Sequence, residues 1–168
     1  IAPTTKTQKK KYLWMTSKNP VSVQNIGGFT LMWHNDDSLI KSMKSLDKEL
    51  EKVGVYGAYD AFKTVKPWAF KADIWRYAVL WKYGGVYLDH ECILLQNLTD
   101  IVETLTKDEN FHVCEDNGAS GGVPHKLWQG FLISDTGDER LLKALKISIK
   151  NVEARLYPKT ALDVSGPG

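Results

Sequence analysis

Two pairs of charged residues stand where charge is costly, both within residues 69–91, AFKADIWRYAVLWKYGGVYLDHE. Asp73 and Arg76 lie three apart in a run that is apolar on nearly every face: Ile74, Trp75, Tyr77, Ala78, Val79, Leu80 and Trp81. A helix apolar all round is buried, and buried charges persist only when paired or bound to something. The plain reading is an ion pair along one helix face; the sharper reading is a ligand role. Asp89 and Glu91 form the second pair, two apart after Val86-Tyr87-Leu88. Alternate residues of a strand point the same way, so these carboxylates project together. Convergent carboxylates repel unless a cation lies between them. Oxygen ligands suit Mn²⁺ or Mg²⁺, and phosphate oxygens commonly complete the Mg²⁺ shell. An Asp-x-acid triplet is common in surface loops, so its weight comes from its setting.

That setting is a helix, a glycine turn and a strand, in that order. Residues 71–83 hold neither Gly nor Pro and predict a helix of three to four turns. Pro67 blocks extension backwards, and Gly84-Gly85 ends the helix in conformations that glycine tolerates. Residues 86–88 predict a short buried strand. Upstream, residues 12–15 predict a first strand, ended by the loop Thr16-Ser17-Lys18-Asn19-Pro20. Ligands of α/β folds bind where loops leave the C-terminal ends of strands. Residues 29–33 predict a second strand, and residues 38–52 a helix capped by Asp36 or Asp37, with Leu39, Ile40, Met43, Leu46 and Leu50 inward. His34 reads as a loop histidine. Residues 55–65 are not assigned a type. Residues 92–95 read as a continuing strand, with Thr99-Asp100 capping a short helix through Leu105. Residues 111–114 and 127–133 read as strands, residues 117–124 (NGASGGVP) as a loop able to close over ligands, and residues 138–156 as an amphipathic helix. The alternation implies an α/β fold.

Composition narrows the class. The chain has 168 residues, 43% hydrophobic and 25% charged, enough for one domain with a core. Lys and Arg number 22 against 20 acidic residues, a net charge of +2, so nothing favours nucleic acid as a partner. Lys6, Lys9, Lys10 and Lys11 read as a solvated start. Cys92 and Cys114 make no disulfide framework and read as buried free thiols in apolar strands. No stretch of about twenty apolar residues is present, so no membrane span is expected. The cytoplasm is the favoured location, with the Golgi lumen the alternative had a membrane anchor been removed. The sequon Asn97-Leu98-Thr99 carries little weight.

Taken together, Ala72-Asp73, Arg76-Tyr77, Leu80, Gly84-Gly85, Tyr87, Asp89 and Glu91 resemble the signature of D-x-D-motif glycosyltransferases of family thirty-two. Glu91 stands where the family usually has its second Asp, which moves the ligand oxygen outward. The resemblance implies a single Rossmann-like domain over residues 1–168, the A-type glycosyltransferase fold with a mixed central sheet flanked by helices. It implies a retaining transferase that moves a hexose from a nucleotide-sugar, UDP-glucose first and GDP-mannose second, to a glycan, glycoprotein or other hydroxyl acceptor. It gives Glu91 and Asp89 as ligands of Mn²⁺ or Mg²⁺. Asp73, Arg76 and Asp89 become the catalytic set. Trp14 and Thr16, with Ser17, are base-pocket candidates, although core packing competes for Trp14. Gly84 and Gly85 would let the backbone pass close to the donor. Gln129, with its neighbour Trp128, would lie near donor sugar or acceptor. Residues 162–168 resemble the family's Thr-Gly-Pro turn, which is usually followed by a histidine that completes the site; the chain is expected to stop short of it.

Two rival classes fit part of the pattern. A phosphatase with an Asp nucleophile also carries an Asp-x-Asp after an apolar strand, but nearer its N-terminus and with a distant Lys. A non-catalytic sugar-nucleotide-binding module would share the donor site and fail in turnover.

Overall fold

The computed structural model describes residues 11–116 and 126–155. The expectations for residues 1–10, 117–124 and 162–168 lie outside the described residues. Five strands form one mixed sheet in the order β2-β1-β3-β5-β4. Strand β1 (Tyr12–Thr16) pairs in parallel with β2 (Thr30–His34) and with β3 (Gly85–Leu88). Strand β5 (Lys126–Ser134) runs antiparallel to both β3 and β4 (Phe111–Asp116). This is the α/β fold that the alternation predicts, with the mixed sheet that the family resemblance implies.

Side chains alternate across β3, so the strand feeds two cores. Tyr87 faces the larger core, with Trp14, Met43, Phe62, Trp75, Leu80 and Leu145. That core is closed by α1 (Asp36–Glu51), α2 (Ala58–Thr64), α3 (Trp68–Tyr83) and α5 (Glu139–Glu153). Val86 and Leu88 face the smaller core, with Leu13, Met15, Phe29, Leu98 and Ile133. Helix α4 (Leu98–Leu105) lies on that side.

Helix α3 is the central beam. All ten residues from Ala72 to Trp81 are buried, including Asp73 and Arg76. Full burial of one large aliphatic side chain is worth about 1.5–3 kcal/mol, so this helix is anchored by packing rather than by its caps. Pro67 starts it without a side-chain cap, and Trp75 Nε1 ties it to Ser42 Oγ of α1 at 2.9 Å. Gly84 (φ +65°) and Gly85 (φ +104°) end it. A Cβ on Gly85 would lie 2.5 Å from the Tyr12 carbonyl oxygen, and one on Gly84 would lie 2.9 Å from the Thr136 nitrogen. Only glycine fits this passage from helix to sheet.

Several local expectations change. Asn35, not Asp36 or Asp37, caps α1 by accepting from the Ser38 N–H at 2.9 Å; the two aspartates fall in the first turn, where the helix dipole favours them. Ile40 is exposed rather than inward. Residues 55–65 contain α2. Asn97, not Thr99-Asp100, caps α4, accepting from Thr99 N at 2.9 Å. Residues 92–95 are not a strand: the chain leaves the sheet after Leu88, and Ile93 and Leu95 are 83% and 89% exposed. Cys92 therefore lies in a loop, while Cys114 is in β4; both thiols are free, half-buried and raised above the ordinary thiol pKa by burial.

Candidate active site

Strand order reverses at β1, which has β2 on one side and β3 on the other. Parallel sheets open a crevice at such a switch point, outside the C-terminal ends of the strands. Thr16 ends β1 and Asp89 follows β3, and a cleft of about 490 Å³ opens there. Thr16, Ser17, Lys18 and Asp36 line it on the β1–α1 side, Trp68, Ala72 and Arg76 from α3, and Asp89 and Glu91 from the loop after β3.

Arg76 organises the floor. Its Nη2 meets Asp73 Oδ1 at 3.0 Å and Asp89 Oδ1 at 3.5 Å. Its Nη1 donates to the Gln129 carbonyl oxygen at 2.7 Å, and its guanidinium lies 4.3 Å from the Tyr87 ring centroid. Burial opposes the charge of Arg76, yet Tyr87, Asp73 and Asp89 together hold its pKa above the ordinary value. The plain reading of Asp73 and Arg76 as an ion pair is thus correct but incomplete, because the arginine also reaches the second acid pair. Tyr87 donates its hydroxyl to Asp89 Oδ1 at 2.7 Å, and Tyr77 donates to Gln129 Oε1. Burial raises the pKa of both phenols, so they remain donors. Asp89 is thereby fixed from two sides while it still faces the cleft.

An irregularity in β5 makes room for this network. Val113 pairs with Leu132, but the next residue, Cys114, pairs with Trp128, so residues 129–131 bulge from the β4 ladder. Bulges re-aim side chains and expose backbone groups beside functional sites. Here the Gln129 carbonyl turns to Arg76, and the Gly130 carbonyl accepts from Asp89 N at 2.8 Å.

The residues expected at a site thus separate. Thr16, Arg76, Asp89 and Glu91 line the cleft, and Asp73 and Gln129 hold Arg76 from within. Trp14 does not line it: its ring is buried and Nε1 donates to the Gly84 carbonyl at 2.8 Å. Gly84 and Gly85 lie at the opposite end of β3, beside a separate cavity of about 540 Å³. His34 packs 4.8 Å from the Trp75 ring, and burial lowers its pKa. Trp68, 43% exposed in the cleft, was not singled out from the sequence. Its only sequence signal is its position in the first helical turn, ahead of the buried stripe that starts at Ala72.

The family model for the glycosyltransferase sugar-binding region containing the DXD motif matches residues 11–112, which include the first strand, the central helix and the acid pair. The chain belongs to this glycosyltransferase family. No curated protein matches the chain. Among solved structures, this glycosyltransferase region is similar to the PaToxG glycosyltransferase, with a TM-score of 0.65 at 14% identity. The likeness covers 94% of this chain and 66% of that one, and at that identity it supports the fold alone.

The family is associated with a divalent metal, and the residues present fit one. Asp89 and Glu91 both line the cleft, but from a turn after β3, closed by Cys92 N donating to the Asp89 carbonyl at 3.0 Å, and not from alternate positions of a strand as expected; no group of three or more His, Cys, Asp or Glu side chains able to hold an ion occurs among the described residues. Two carboxylates leave most of the shell to other ligands, the pattern of an Mg²⁺-type ion that shares its coordination with phosphates rather than sitting in an all-protein cage. Among the described residues no helix is long and apolar enough to cross a membrane.

Proposed function

We propose that the cleft binds a nucleotide-sugar and that the chain transfers its hexose to a hydroxyl acceptor with retention of anomeric configuration. UDP-glucose is the first candidate donor and GDP-mannose the second. The observation that carries this reading is the fixing of Asp89 at the cleft by a buried Arg76, itself held by Asp73 and the Gln129 carbonyl. A buried cation with two carboxylates is costly to build, and breaking such a group by removing one partner costs about 3–5 kcal/mol.

In the transfer, the bond between the anomeric carbon and the diphosphate oxygen breaks, and a bond from that carbon to the acceptor oxygen forms. The acceptor hydroxyl passes its proton to the departing diphosphate oxygen, and the nucleoside diphosphate leaves. Mn²⁺ or Mg²⁺ held by Asp89 and Glu91 would neutralise charge on that leaving group. Lys18, at the β1 side of the cleft, adds a cation within reach of phosphate oxygens. Trp68 offers a flat apolar face to the nucleobase, and Thr16 with Ser17 offers hydroxyls. Arg76, held from behind by Asp73, meets sugar hydroxyls at the cleft floor.

Release of nucleoside diphosphate from UDP-glucose, UDP-galactose and GDP-mannose, each with Mn²⁺ and with chelator, tests the reading. Metal-dependent release from one donor, lost in Asp89→Asn, supports it. Donor binding without release or transfer under any condition would instead make the chain a sugar-nucleotide-binding module.

A further inference from the structure

The bulge in β5 has a second consequence, on the far side of Asp89 from the cleft. Sheet order places β1, β3 and β5 side by side. The cleft lies on the β1 side of Asp89, and Trp128 lies on the β5 side, outside the residues that line the cleft. Trp128 keeps 39% of its surface exposed. Its indole lies across the Cα of Gly130: a Cβ there would collide with the six-membered ring, and would also lie 2.7 Å from Asp89 Oδ2. One missing side chain therefore sets an exposed aromatic surface directly beside the carboxylate.

A large exposed aromatic next to a hydrogen-bond acceptor suits a ligand that is apolar on one face and hydroxylated at its edge. A pyranose ring is such a ligand, since its axial C–H bonds form an apolar face while its hydroxyls point outward. We propose that Trp128 and Gly130 form the acceptor platform, and that the acceptor is a pyranoside, with its C–H face on the indole and a hydroxyl directed towards Asp89. This rests on the transferase reading given above, because it takes the cleft on the other side of Asp89 as the donor's place. Gly130 is a positioning residue: it lets the ring lie flat beside the carboxylate.

The test uses the full chain and two independent readouts. In the first, the indole N–H resonance of Trp128, assigned by its loss in Trp128→Phe, is followed while methyl α-mannoside, methyl α-glucoside or a Ser/Thr-containing peptide is added. The expected result is a saturable shift with at least one glycoside and none with the peptide. In the second, transfer kinetics with the glycoside that shifts the resonance are compared in wild type, Trp128→Ala, Trp128→Phe and Gly130→Ala. Trp128→Ala should raise the acceptor KM about tenfold, with partial recovery in Trp128→Phe, while the KM for the nucleotide-sugar moves less than about twofold. Gly130→Ala should raise the acceptor KM as well, because the added methyl displaces the ring. No shift with any glycoside, a shift with the peptide alone, or an equal rise in donor and acceptor KM would overturn the proposal. Failure of the donor reading shows separately, as no binding of the three nucleotide-sugars by wild type.

Discussion

The two ends of strand β3 lie about four residues apart and are built for opposite purposes. At its start, Gly84 and Gly85 are there because nothing larger fits. Trp14 Nε1 seals the Gly84 carbonyl, the Thr136 backbone leaves no room for a side chain on Gly84, and the Tyr12 backbone leaves none on Gly85. At its end, the neighbouring strand bulges, a buried arginine replaces a ladder partner, and a carboxylate is held at an open cleft. Each end has a cavity beside it, of about 540 and 490 Å³. Volume therefore does not distinguish them, whereas convergent charge does. A motif that spans the whole strand mixes residues of both kinds: the glycines in it serve the fold, and the acids line the cleft that we propose as the donor site.

The sharpest way to break that contrast is at Arg76. Arg76→Ala should destabilise the protein by about 3–5 kcal/mol, since Asp73 and Asp89 lose their shared cation; urea denaturation would show it as a lower midpoint, together with loss of donor binding. Asp89→Asn should separate the two properties. It should lower turnover by about 10²–10³-fold while lowering the urea midpoint much less than Arg76→Ala, because Asp73 still pairs with Arg76 at the shorter distance and the amide oxygen still accepts from Tyr87. Gly85→Ala should do the reverse. Overpacking against Tyr12 costs about 1–3 kcal/mol, so stability should drop while donor affinity per folded molecule holds. Were Gly85→Ala to abolish binding without loss of stability, the division between the two ends would be wrong.

The smallest effect lies away from both ends. Glu49 meets Lys52 and Lys82 at 2.5 Å each, and these hydrogen bonds lower its pKa from 4.5 to about 2. A depressed carboxyl stabilises the fold above its unfolded pKa, and that contribution is lost as pH falls through the folded value. The urea midpoint of wild type should therefore fall slightly more than that of Glu49→Gln between about pH 5 and pH 2. The difference should be small and should shrink in salt, because the pair is on the surface.

Sequence reasoning reached the parts of this molecule that are governed by strong local rules. Helix α3 is legible because Pro67 and Gly84-Gly85 punctuate it, and the Asp73–Arg76 pair because charge amid apolar residues demands a reason; Asp89 and Glu91 reach the cleft from a turn and not from the strand that their spacing suggests. Misreadings arose where two local signals compete. Asn35 and Asp36 can both cap a helix, and only the backbone turn decides between them. Residues 92–95 are apolar enough for a strand, but β3 ends at Leu88 and leaves them no partner to pair with. Trp14 has the residue type and place of a base platform, yet its side chain falls on the inward side of β1. Tyr87 read as one more buried strand residue, and its hydroxyl on Asp89 could not be foreseen from spacing. The bulge at residues 129–131 was invisible as well, because it depends on the register between β4 and β5.

Asp89 and Glu91 are proposed to form a metal-dependent donor site. Calorimetric titration of UDP-glucose, UDP-galactose and GDP-mannose into the wild type and Asp89→Ala, with Mn²⁺ and with chelator, tests it most directly. The expected result is saturable binding of one donor that requires Mn²⁺ and disappears in Asp89→Ala, with the far-ultraviolet circular dichroism of the variant unchanged. Binding that persists in chelator, or that survives Asp89→Ala, would contradict it.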